Sequence, residues 1–271
     1  MKKKYPKVLS IAGSDCSGGA GIQADLKTFT VFGCYGATVL TTLTAQNTTG
    51  VQDIFPIDPE FIGKQIDSVL SDIQIDTIKI GMLYDSKIIS IVAEKIKQYN
   101  FKKVILDPVM VATSGDRLLK EDAIKILKEK LIPLAMILTP NIKEAEILSG
   151  INIKTKKNME ESANIIKNLG VHNVLIKGGD FQSKDSNDCL LYKSQKGYKI
   201  TWFKSERIKT KNIHGTGCTL SSAIACCIAK GYTLENAVSK SKKFLTSALK
   251  FAINLDVGFG SGPVDHLYRL K

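Results

Sequence analysis

Short apolar runs bounded by glycine, proline or polar residues alternate along this chain with longer stretches of helical spacing. Residues 7–12 form an apolar run of strand length, and residues 20–32 place Ile22, Leu26 and Phe29 on one helical stripe. Residues 35–44 are rich in Thr, Val and Leu and predict a strand. Asp58 followed by Pro59 predicts a helix start, with the helix running to about Leu70. A short strand at 77–80, a helix at 86–98 capped by Asp85 or Ser86, and a buried strand at 103–106 follow. The pattern then predicts a helix at 121–130, a strand at 136–138, helices near 142–148 and 157–169, and a strand at 173–176. Residues 188–192 and 198–203 read as an antiparallel pair. Two long helices, 217–230 and 234–251, end the series.

Such alternation predicts an α/β fold: a mostly parallel central sheet with helices on both faces. Ligands bind such sheets at the carboxyl ends of the strands. The predicted strands end in Gly13-Ser14-Asp15, Gln46-Asn47, Gly81-Met82, Asp107, Asn141 and Lys177-Gly178-Gly179, so these groups are expected to line one cleft. With no linker or repeat along the chain, residues 1–271 are expected to form a single domain.

Composition narrows the class. No run approaches the roughly 20 apolar residues that cross a bilayer, and the basic start lacks a signal peptide's apolar region. No membrane role and a cytoplasmic location are therefore expected. The six cysteines show no Cys-x-x-Cys pairing and the histidines are scattered, which argues against structural zinc. The formal net charge of +12 raises nucleic-acid binding. The basic residues are mostly lysines spread over many helices, so a solvated surface that attracts anionic substrates is expected and no nucleic-acid partner.

Candidate chemistry concentrates in a few segments. Residues 212–223, Asn-Ile-His-Gly-Thr-Gly-Cys-Thr-Leu-Ser-Ser-Ala, read as a tight loop opening into a helix. Glycines permit close backbone approach, and the unpaired N–H groups and dipole of a helix start bind phosphate. Cys218 falls in the first turn, where its thiol is expected to ionise more easily than a free cysteine. An anion cradle beside a base suggests phosphoryl transfer. The glycine-rich turn at 13–25 lacks the dinucleotide and Walker patterns, so alone it is equally a packed turn. Asp107 at a strand end suits a metal-bound phosphate or caps the next loop. Asn141 and Glu144 have the spacing of a capping box, and beside an anion cradle Glu144 becomes a candidate to hold magnesium through water. The Gln46 amide offers a donor and an acceptor that match an aminopyrimidine edge, or it caps a turn. Met82 and Val109 are apolar walls or simply core.

Together these segments resemble the hydroxymethylpyrimidine and phosphomethylpyrimidine kinases of thiamine biosynthesis, members of the ribokinase-like superfamily. The motifs that carry the resemblance include Gly-Ser-Asp-x-Ser-Gly-Gly-Ala-Gly-Ile-Gln-Ala-Asp at 13–25 and Thr-Ala-Gln-Asn-Thr at 44–48. Asp-Pro-Val-Met-Val at 107–111, Lys-Gly-Gly at 177–179 and His-Gly-Thr-Gly-Cys-Thr at 214–219 extend it. The resemblance implies a three-layer sandwich that uses ATP and Mg2+ to phosphorylate an aminopyrimidine alcohol and then its monophosphate. It implies that Gly13, Ala20, Asp25, Gln46, Met82 and Val109 form the pyrimidine pocket. By the same likeness Asn141, Glu144 and Lys177 serve the nucleotide, together with Gly215 and Gly217, and Asp107 and Glu144 serve the metal. Gly215, Thr216, Gly217 and Cys218 match the anion hole and base, and a homodimer is implied. Pyridoxal kinases of the same superfamily are the main alternative. Some of them carry a second cysteine on the flap after Asp-Pro-Val, where this chain reads Val-Ala-Thr-Ser-Gly-Asp at 111–116. A pyrimidine sensor without turnover is a further alternative. Residues 113–117 are expected to act as a lid.

Overall fold

The computed structural model describes residues 4–111, 118–181 and 184–270. The expected lid at 113–117 lies outside them. The chain runs β1 (Lys7–Asp15), α1 (Gly21–Val31), β2 (Tyr35–Asn47), β3 (Gly50–Pro56), α2 (Pro59–Asp72), β4 (Thr77–Ile80), α3 (Ser86–Gln98) and β5 (Val104–Leu106). It continues through α4 (Ala123–Ile126), β6 (Ile137–Leu138), α5 (Ile142–Ser149), α6 (Lys156–Lys167), β7 (Val174–Ile176), β8 (Asp188–Ser194), β9 (Gly197–Phe203), α7 (Thr216–Ala229) and α8 (Leu234–Phe251).

Among the described residues these strands form one nine-stranded sheet in the order β3-β2-β1-β4-β5-β6-β7-β8-β9. The pairs from β2 through β7 are parallel. β3 adds antiparallel at one edge, and β8 and β9 at the other. The chain leaves β1 for β2 on one side and later returns to β4 on the other. That reversal opens a crevice at the carboxyl ends, where such sheets take ligands.

The alternation of side chains in the strands separates two apolar layers. Val104, Leu106, Val174 and Ile176 face one way and pack with α2, α3, α5 and α6. Ile105 and Leu175 face the other way and pack with α1, α7 and α8. Helices thus cover both faces, giving the expected three-layer sandwich.

One element was not anticipated, and one expectation is corrected. Residues 50–56 form β3, because the short Thr48-Thr49 link folds the chain back antiparallel onto β2. The helix expected at 121–130 is regular only over Ala123–Ile126 and widens to a π-type turn over Leu127–Leu131. Pro133 lies just beyond, has no N–H to donate and clashes with the preceding turn.

Candidate active site

The turn after β1 is organised by Asp15. Its carboxylate accepts hydrogen bonds from Ser17 N and Oγ, Gly19 N and Ala20 N at 2.7–3.0 Å. His214 Nε2 lies 2.8 Å from Asp15 Oδ2. Burial alone would raise the Asp15 pKa, but the hydrogen bonds from His214, Ser17 and Ala20 outweigh it and hold the carboxyl well below its usual range. The turn is tightly packed: a Cβ on Gly21 would lie 2.4 Å from the Gly13 carbonyl oxygen, and Gly21 has φ +56°.

Against this turn sits the start of α7. Gly215 is its N-cap at φ +79°, and no side chain caps the helix. A Cβ there would lie 1.9 Å from Gly19 O, so only glycine brings the two loops this close. Thr219 Oγ1 donates to Gly215 O at 2.8 Å and stands 2.8 Å from His266 Nε2, which braces the first turn. Burial and nearby Lys27 push the His266 pKa down to about 4. The unfolded chain therefore binds the proton that the folded protein refuses between pH 6.5 and 4, and stability falls as pH falls through that window. Buried Glu144 acts in the opposite sense over an overlapping range. The expected result is therefore a difference: from pH 7.5 to 5 the wild type loses about 2 kcal/mol more than His266→Asn in urea denaturation. Parallel losses in the two proteins would contradict the buried neutral imidazole.

Beneath the loop lies a charged cluster. Lys177 Nζ contacts Asp107 Oδ1 at 2.6 Å and Glu144 Oε2 at 4.0 Å. Thr139 and Ser221 hydroxyls donate to Asp107, each at 3.2 Å. Asn141 and Glu144 form the capping box of α5, with Asn141 N donating to Glu144 Oε2 at 2.8 Å and Glu144 N to Asn141 Oδ1 at 2.9 Å. Met110 N also donates to Glu144 Oε1. Burial lifts the Glu144 pKa to about 7 despite the pull of Lys177. For Lys177, burial favours the neutral amine, but Asp107 and Glu144 outweigh it and keep the ammonium charged. A Cβ on Gly217 would lie 3.3 Å from both Asp107 Oδ2 and Lys177 Nζ, so the helix start sits directly over the cluster.

Gly13, Ala20, Gln46, Met82, Val109, Asp107, Asn141, Glu144, Lys177, Gly215, Thr216, Gly217 and Cys218 all border one cavity of about 870 Å³. Asp25 does not. It is fully buried in the layer between sheet and helices, where Lys79 Nζ contacts both carboxylate oxygens at 2.8 Å. Ser10 and Ser222 hydroxyls donate to it, each at 2.6 Å. Asp25 falls on the apolar stripe of α1 with Ile22 and Phe29, which turns it inward, toward Lys79.

The expectation of an easily ionised Cys218 is also corrected. Burial pushes its thiol up to about 11, although Lys79 and the Gly21 N–H pull the other way. Desolvation of the thiolate outweighs the helix start.

Several cavity residues were not anticipated. Asp188 accepts from Gly178 N at 2.9 Å and pairs with Lys242 at 2.8 Å. With Ser205, Leu245 and Thr246 they continue the cavity past Lys177 toward α8. No motif marks these positions. Asp15 and His214 had a signal, since both lie inside the glycine motifs.

The class of the protein follows from this architecture and its structural likeness. The chain superposes on pyridoxal kinase from Bacillus subtilis, solved as an ADP complex, with a TM-score of 0.87 and 38% identity, covering 98% of this chain and 99% of that one. It is a ribokinase-like kinase fold. The profile of the phosphomethylpyrimidine kinases matches residues 15–265, and the chain belongs to that family. It is 45% identical to the hydroxymethylpyrimidine/phosphomethylpyrimidine kinase of Escherichia coli K12 over 98% of each chain. It is 48% identical to the thiamine biosynthesis bifunctional protein ThiED of Geobacter sulfurreducens over 96% of its length, but spans only 52% of that longer protein.

Proposed function

We infer that this protein is an ATP-dependent kinase that phosphorylates 4-amino-5-hydroxymethyl-2-methylpyrimidine and then its monophosphate, for thiamine biosynthesis. The observation that carries this reading is the placement of the uncapped start of α7 over the Asp107–Lys177 pair, in a cavity that also takes in Gln46. One end of that cavity suits phosphate and the other an aminopyrimidine edge. The same reading takes residues 1–271 as one domain that works as a cytoplasmic homodimer without a nucleic-acid partner. Among the described residues no helix is long and apolar enough to cross a membrane.

Phosphoryl transfer asks the protein mainly for positioning and charge stabilisation. The N–H groups at the start of α7 stabilise charge on the transferred group. Lys177 supplies a fixed positive charge beside them. Among the described residues no group of three or more His, Cys, Asp or Glu is placed to hold a metal ion. The two buried carboxylates Asp107 and Glu144 instead fit magnesium, which keeps its waters and takes one or two carboxylates plus substrate phosphates. When bound, Mg2+ neutralises charge on the ATP phosphates.

In the first step the hydroxymethyl oxygen forms the new bond to the γ-phosphorus as the bond to ADP breaks, and Cys218 takes the hydroxyl proton. A thiol held near 11 carries its own proton at neutral pH. The single-turnover rate of the first step is therefore expected to rise about tenfold per pH unit from 7 to 9 as thiolate forms. The second nucleophile is a phosphate oxygen, already largely ionised above pH of about 6, so its rate stays flat. Cys218→Ala is expected to remove the rise and to slow the first step far more than the second. Equal losses in both steps would assign Cys218 a positional role.

Pyridoxal phosphorylation is the second reading, favoured by the likeness to the Bacillus subtilis enzyme. The flap sequence, which has no cysteine, stands against it. In parallel assays, kcat/KM for the hydroxymethylpyrimidine is expected to exceed that for pyridoxal at least tenfold. The reverse order would move the assignment.

A further inference from the structure

His214 stands where three parts of the site meet. It is 7% exposed, directly precedes Gly215, and its N–H donates to Gly262 O at 3.0 Å. Its ring turns the Cδ2 edge to the β1 turn: a Cβ on Gly19 would come within 2.3 Å of Cδ2. Its Nε2 faces two partners, Asp15 Oδ2 at 2.8 Å and a terminal atom of the Gln46 amide at 3.2 Å. The other amide atom lies 3.0 Å from Thr44 Oγ1, and that hydroxyl lies 2.8 Å from Ser14 O.

Proton counting settles the roles. An ionised carboxylate only accepts, so Nε2 must carry a proton and donate to Asp15. Nε2 then has no lone pair to offer. With the Gln46 nitrogen toward His214, two donors would face each other. That orientation would also present the amide oxygen to Thr44, whose single hydroxyl proton already goes to the Ser14 carbonyl. Turning the amide by half a rotation removes both conflicts at once. The oxygen then takes the longer arm of a three-centre bond from His214 Nε2–H, whose shorter arm goes to Asp15, and the NH2 donates to Thr44 Oγ1. Oxygen and nitrogen have nearly the same shape, so the partners alone decide the orientation.

We propose that His214 is a positioning residue for substrate specificity: held by Asp15, it fixes the Gln46 amide with its oxygen toward the start of α7 and its nitrogen toward Thr44. So held, the amide has one N–H and one oxygen lone pair left for the cavity, in a fixed order. A ring nitrogen next to an exocyclic amine matches both. A ring with no amine beside its nitrogen leaves the lone pair unused, and a ring with a carbonyl there meets it with a second acceptor. His214 thus acts on the choice of ring through Gln46. This inference rests on the aminopyrimidine reading of the same cavity.

The test measures binding of two ligands, 4-amino-5-hydroxymethyl-2-methylpyrimidine and its analogue lacking the 4-amino group, to wild type, His214→Leu and His214→Gln. ADP binding serves as the check that each variant is folded. The wild type is expected to prefer the amino ligand at least tenfold. His214→Leu frees the amide to turn and is expected to bring that ratio close to one, with a larger change in KM than in kcat. His214→Gln keeps an N–H donor and is expected to restore most of the preference. Equal weakening of both ligands in His214→Leu, with the ratio unchanged, would overturn the proposal, because a merely structural role predicts that result. An independent readout needs no substrate: ring 15N spectra of the free protein are expected to show His214 protonated at Nε2. A proton on Nδ1 alone would overturn the proposal whatever the substrate. A wild type that shows the Nε2 proton but binds neither pyrimidine would overturn the aminopyrimidine reading, and with it the specificity role.

Discussion

Gly215→Ala is expected to lower kcat/KM for both phosphorylations by about 10³-fold or more. Losing one donor from an anion hole costs about 10²–10³-fold, and this substitution displaces the whole loop. The added Cβ would sit 1.9 Å from the Gly19 carbonyl oxygen, and the φ of +79° is strained for any side chain. Neither problem has a flexible side chain to absorb it, because the obstacle is backbone. The loops must part, which moves the N–H groups at 216–218 off the Asp107–Lys177 cluster. Steady-state kinetics with urea denaturation separates the effects: the rate collapses while the denaturation midpoint shifts modestly. A variant that folds and retains near wild-type kcat/KM would refute the anion-hole assignment. Gly33→Ala is the matched control, since Gly33 also has positive φ, at +66°, but open space around its Cβ.

Lys79→Met is expected to destabilise the protein by about 3–5 kcal/mol, the cost of stranding one partner of a buried ion pair. Lys79 and Asp25 are both fully buried. Asp25 draws the Lys79 pKa upward against the effect of burial, so the ammonium stays charged inside the fold. Adding Asp25→Asn to Lys79→Met is expected to recover part of the loss, because the remaining amide oxygen still accepts from Ser10 or Ser222. If Lys79→Met alone is neutral in urea denaturation, the pair does not hold this layer together. The pair also lies close enough to Cys218 to act on its thiol, so the thiolate-dependent rise of the first step with pH is expected to shift in the double variant.

Much of this was legible in the sequence. The strand at Thr77–Ile80 and the helices at Ser86–Gln98 and Leu234–Phe251 fell where periodicity and caps placed them. Caps at Asp58 and Asp85 mark the entries to α2 and α3. The strand ends converged on one cavity because parallel connections leave them on one side of the sheet. β3 was missed because its exposed edge carries Gln52 and Asp53 among few apolar residues. The burial of Asp25 and the raised pKa of Cys218 were not legible, for one shared reason. A motif gives the residue and its neighbours along the chain but not the depth at which it sits, and depth decides both cases. Asp25 had a faint signal in its position on the apolar stripe of α1. Lys79 had another, as a lysine in the middle of a fully buried strand. A buried lysine and a buried aspartate imply each other, since neither charge is stable there alone. The far wall around Asp188 and Lys242 had no such signal, because it is assembled from the antiparallel edge and the last helix.

The central claim is successive phosphorylation of one aminopyrimidine, and product masses test it most directly. The purified protein is incubated with MgATP and 4-amino-5-hydroxymethyl-2-methylpyrimidine, with pyridoxal and pyridoxine in parallel. The expected result is a monophosphate that appears first and is then consumed as the diphosphate grows. A phosphorylated B6 ring with no pyrimidine product, or no product from any ring, would contradict the account.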